Sequence, residues 1–94
     1  MKKNAGFTEI NPEEEKKRIG IRLRYLRKSR GYTSHETFAY EHGLDRAQYG
    51  KYEAGSLNIT VGTLIKILNK MKVTLPEFFS EEYNAIDVNN DSTK

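Results

Sequence analysis

Arg46, Ala47, Gln48, Gly50 and Lys51 lie within six residues of one another. Their chemistry suits the edges of base pairs. An arginine can bind guanine with two hydrogen bonds, a glutamine can do the same for adenine, and an alanine methyl can meet the thymine methyl. A lysine reaches either a base or a phosphate. Tyr49 and Tyr52 are interleaved with them, three residues apart. On a helix that spacing puts both rings on one face, so the polar set faces outward. None of the five is acidic.

Competing chemistries find no support. There is no cysteine, so disulfides, thiolate metal sites and a thiol nucleophile are excluded, which fits a cytoplasmic protein. No Gly-rich phosphate loop, paired-histidine metal motif or nucleophile elbow is present. Glu13, Glu14 and Glu15 are adjacent rather than converging. His35 and His42 are seven apart, and two helical turns separate them by roughly 10 Å, too far to share a metal ion. The expectation is a binding protein with no enzyme activity, cofactor, metal or small-molecule ligand.

The positioning elements follow from the stretch Phe38 to Gly55, FAYEHGLDRAQYGKYEAG. Ala39 allows a close helix crossing, and Gly43 can end the first helix in a left-handed conformation. Asp45 can accept from the free N–H groups that open the next helix. Gly55 closes that helix. Two short helices joined by a glycine-containing turn form a helix-turn-helix.

The stretch from about Ile19 to Phe79 resembles the Cro and phage-repressor helix-turn-helix domains, the xenobiotic-response-element family. The resemblance rests on Leu23, Leu26 and Arg27, then Ala39 and Gly43, then Asp45, Tyr49 and Tyr52. Glu53, Gly55 and the run Thr60 to Phe79 complete it. It implies an all-α bundle of about five helices, lambda-repressor-like, with its third helix in the major groove of double-stranded DNA. A sequence-specific, repressor-like regulator of transcription is therefore expected. The resemblance also implies a partly buried ion pair, Arg27 with Glu53, and a homodimer. Phe78, Phe79 and Tyr83 are the apolar groups to place near the dimer contact. Two departures stand out. Gly31 to Ala39 is one residue longer than the family spacing, and Gly50 is a poor helix former within the recognition helix. That glycine implies either close approach of the backbone to DNA or a weaker helix. The alternative function is a protein-interaction or antitoxin-like module on the same fold. An acidic or apolar outer face on helix three would have favoured it.

The rest of the 94-residue chain agrees with one small domain. The formal net charge is only +3, but its distribution is uneven. Between Lys16 and Lys72 the acids are only Glu36, Glu41, Asp45 and Glu53, and the others flank this basic middle. Such a pattern suits a nucleic-acid surface. No apolar run approaches a membrane span.

Residues 1–10 are expected to form a flexible tail, where Lys2 and Lys3 are solvated or touch phosphates. Residues 11–80 form the domain. Asn11 and Pro12 open helix one, which ends before Gly31 with Ile19, Leu23 and Leu26 inward. Lys16, Lys17, Arg18, Arg22, Arg24, Lys28 and Arg30 are expected on its solvent face. Thr33 and Glu36 read as a capping box for helix two. Helix three is Arg46 to about Ala54. Thr60 caps helix four, Val61 to Met71, with Leu64, Ile65 and Leu68 inward. Thr74 caps a short fifth helix. Residues 81–94 are expected to be a flexible acidic tail. Phosphate contacts are assigned to Arg22, Thr33, Ser34, Ser56, Asn58 and Thr60, several of which open helices.

Overall fold

Asn11 starts the first helix as its type suggests: Oδ1 accepts from the backbone N–H of Glu13 and Glu14 at 2.9 and 3.2 Å. Pro12 supplies the pre-set first turn, and the three glutamates meet the positive end of the helix dipole. The computed structural model describes residues 6–89, and these form six helices and no strand. They are α1 (Pro12–Ser29), α2 (His35–Glu41), α3 (Arg46–Ala54), α4 (Val61–Met71), α5 (Leu75–Phe78) and α6 (Glu81–Asn84). Residues 6–10 are exposed and lack regular structure, while Lys2 and Lys3 lie outside the described residues.

One core joins the helices. Leu23 of α1, Phe38 and Ala39 of α2, Tyr49 of α3, Ile67, Leu68 and Met71 of α4 and Phe78 of α5 are sealed from solvent. In α4 the inward residue is Ile67, and Ile65 is exposed, contrary to the expected set. Residues 64, 67, 68 and 71 follow the 3.6-residue period, and residue 65 falls one step beyond that stripe.

Among the glycines of the described residues, the tightest surroundings are those of Gly20, where α1 meets the end of α3. A Cβ placed on Gly20 would lie 2.3 Å from the Glu53 carbonyl oxygen and 2.7 Å from that of Tyr52. No side chain fits there. Gly55, which ends α3 at a φ of 76°, sits against the backbone of Lys17 on the same side. Its left-handed conformation suits glycine, which has no Cβ to clash.

Several basic residues of α1 turn inward. Arg22, expected on the solvent face and on phosphate, is buried. Its Nε donates to the Phe78 carbonyl at 3.0 Å and Nη2 donates to the Glu77 carbonyl at 2.8 Å. Arg30, the C-cap just past α1, is exposed as expected, and its Nε donates to the Met71 carbonyl at 2.9 Å. Both arginines thereby satisfy carbonyls near helix C-termini, which have no partner within their own helix. Arg18 pairs with Glu15 and reaches the Ile86 carbonyl.

Residues 81–84 also depart from expectation, forming α6 where a tail was expected; residues 90–94 of that expected tail lie outside the described residues. Tyr83 is buried, and its hydroxyl donates to Glu15 Oε1 at 2.6 Å. Burial and that bond push its ionisation above the ordinary tyrosine range. Phe78 and Tyr83 are thus core residues, and of the three aromatics expected near a dimer contact only Phe79 is exposed.

Candidate nucleic-acid interface

The turn between α2 and α3 is built from local bonds. Gly43 takes a φ of 72°, which lets the Leu44 N–H reach back to the Ala39 carbonyl at 2.8 Å. The chain reverses there, and Asp45 opens α3 by accepting from the Gln48 N–H at 2.8 Å. At the other end of the motif the N-cap of α2 is Ser34, whose Oγ accepts from Glu36 and Thr37. Thr33 had been expected in that role. The cap therefore lies one residue later than expected. Tyr32 in this loop packs edge-on against Phe38, with ring centroids 5.2 Å apart.

On α3, Tyr49, Tyr52 and Glu53 are buried, while Arg46, Ala47, Gln48 and Lys51 are exposed. Four of the five expected base-reading residues therefore form one open surface. The fifth, Gly50, is half-buried because the ring of His35 lies against it. Arg46 makes no ion pair with Glu36 or Glu41 among the described residues. With His35, Glu36, Asp45 and Ala47 it lines an open cleft of about 410 Å³.

The inner side of α3 is fixed by charge as well as by packing. Arg27 Nε and Nη2 donate to the two carboxylate oxygens of Glu53 at 2.9 and 2.8 Å. Its Nη1 donates to the Tyr32 carbonyl at 2.8 Å, so one guanidinium also holds the loop before α2. The bond to Glu53 outweighs desolvation and raises the Arg27 pKa further. Burial, and then the Glu53 carboxylate, push the Tyr49 hydroxyl above the ordinary tyrosine range.

The expected phosphate residues divide. Thr33, Asn58 and Thr60 are exposed, and Thr60 caps α4 by accepting from Thr63 at 3.1 Å. Ser34 is half-buried at its cap, and Ser56 is exposed with its hydroxyl donating to the Lys51 carbonyl at 3.3 Å. Arg22 leaves the set, because its donors are engaged inside the fold. Among the described residues no group of side chains is arranged to hold a metal ion. His35 was missed as part of this surface. The available signal was Gly50, whose low helix propensity called for a packing reason.

The helix-turn-helix family model HTH_3 matches residues 23–78, from the middle of α1 to the end of α5. The chain belongs to this family. The control protein C.MunI of Mycoplasma sp is 39% identical over 64 residues, which is 68% of this chain and 86% of that protein. The crystal structure of the restriction-modification controller protein C.AhdI from Aeromonas hydrophila matches with a TM-score of 0.62 and 34% identity. That match covers 69% of this chain and 97% of the other. As a helix-turn-helix protein, the chain is a sequence-specific DNA-binding regulator of transcription. Among the described residues no helix is long and apolar enough to cross a membrane.

Proposed function

We propose that α3 enters the major groove and that this chain controls the genes of a restriction-modification system. The observation that carries the first part is the face of α3, with Arg46, Ala47, Gln48 and Lys51 exposed on a helix whose other side is buried. The likeness to C.AhdI, a restriction-modification controller protein, supports the second part, and C.MunI is likewise a control protein. In this reading Arg46 and Gln48 meet base edges, Ala47 meets a thymine methyl, and Lys51 meets a base or phosphate. Thr33, Ser34, Ser56, Asn58 and Thr60 touch the DNA backbone and fix the register. The protein works in the cytoplasm by binding alone. As a homodimer it would present two α3 helices about 34 Å apart, one turn of duplex, with Phe79 near the contact.

Selection on randomised duplexes, followed by a salt titration on the winning site, tests the reading. Log affinity is expected to fall linearly with log salt, with a slope of about −0.9 for each phosphate neutralised. Affinity independent of salt would move the function to a protein partner.

A further inference from the structure

Gly50 interrupts α3 with the poorest helix former after proline. Its surroundings supply a reason. A Cβ built on it would lie 2.7 Å from His35 Nε2 and 3.0 Å from His35 Cδ2. The imidazole thus occupies the space that a side chain at position 50 would fill, so a side chain there requires the ring to turn aside or the two helices to part. His35 is the first residue of α2 after its Ser34 cap, so it is anchored at one end of the motif while its ring touches the middle of the other helix. Arg46, four residues before Gly50, shares that side of α3, and His35 and Arg46 line the same cleft.

We propose that His35 and Gly50 form a matched pair that sets the spacing between α2 and α3, and through it the reach of Arg46 and Ala47 toward base edges. The proposal rests on the reading that α3 meets the major groove. In that reading the start of α2 is held on the DNA backbone, so any push between the helices moves the readout residues relative to the bases. Hydrogen bonds weaken steeply as their angles open, and a displaced Arg46 would lose discrimination before it lost charge attraction. His35 is therefore a positioning residue. The competing reason for Gly50 is that the DNA itself comes close to α3 there. The two reasons differ in what happens when the imidazole is removed.

Four proteins decide it: the wild type, Gly50→Ala, His35→Ala, and the double variant. Each is measured on the wild type's selected duplex at fixed salt, on randomised duplexes, and by thermal unfolding. Gly50→Ala is expected to bind the selected duplex about tenfold more weakly and to relax its base preference. The double variant is expected to recover to within about threefold of His35→Ala, because the Cβ then enters vacated space. A double variant as weak as Gly50→Ala would overturn the proposal and leave DNA as the neighbour that needs the glycine. Wild-type affinity and preference in Gly50→Ala would overturn it as well. If Gly50→Ala does not fold, a folded double variant supports the pairing and an unfolded one overturns it. Arg46→Ala tests the underlying reading separately. If its base preference is unchanged, α3 is not the reader, and additive unfolding midpoints for His35 and Gly50 would then overturn the pairing itself.

Discussion

Glu53 and Arg46 stand two turns apart on α3 and live in different surroundings. Glu53 is 7% exposed and gives both carboxylate oxygens to Arg27, and its own backbone carbonyl presses on Gly20. Arg46 is exposed, and the start of its helix is held by the single cap of Asp45 and the nearby turn. The end of α3 is therefore anchored to α1, while its outward side is left bare. A reading helix needs both. The anchor fixes the angle of the helix, and the bare side keeps its donors free for a partner that is absent until binding.

Substitutions along α3 can break or sharpen this contrast. The largest effect belongs to Glu53→Ala, which leaves Arg27 buried without its counter-charge and is expected to cost about 3–5 kcal/mol of unfolding free energy. Chemical denaturation measures it, and a double-mutant cycle with Arg27→Met isolates the coupling. Near-zero coupling would dissolve the anchor. Gly20→Ala comes next. The added carbon would collide with backbone oxygens that no side-chain rotation can relieve, at an expected cost of about 1–3 kcal/mol or more. A wild-type unfolding midpoint in this variant would mean that α1 and α3 can separate freely. At the open end, Asp45→Ala removes one cap and should cost about 1 kcal/mol, read from the same denaturation curves. Smallest of all in stability is Arg46→Ala, expected within about 0.5 kcal/mol of wild type. The same variant should lose about 1–3 kcal/mol on the preferred duplex and relax one base position. A large loss of stability there would erase the distinction between the two ends.

The same contrast explains what could be read from the sequence. The limits of α3 and α4 follow from Asp45, Gly55 and Thr60, because capping is chemistry between neighbours in the chain. The outward set on α3 follows from the three-residue spacing of Tyr49 and Tyr52. What escaped depends on partners far along the chain. Arg22 looks like any basic residue of a solvent face until α5 supplies carbonyls 55 and 56 residues away. Tyr83 looks like part of a polar tail until Glu15 meets it 68 residues back. Thr33 and Ser34 offer the same capping chemistry, and only the packing of the loop before α2 chooses between them. Gly20 carries a weak local sign, a glycine inside a helix, but the backbone that it admits belongs to another helix.

Arg22 and Arg30 bond to main-chain carbonyls, whereas Arg27 bonds to a carboxylate. A carbonyl belongs to the main chain, so no substitution at its own position removes it, whereas a carboxylate is lost with a single residue change. The bonds of Arg22 and Arg30 are therefore indifferent to which side chains stand at positions 77, 78 and 71. The tie between α1 and α3 instead requires one particular residue, Glu53, to keep its identity.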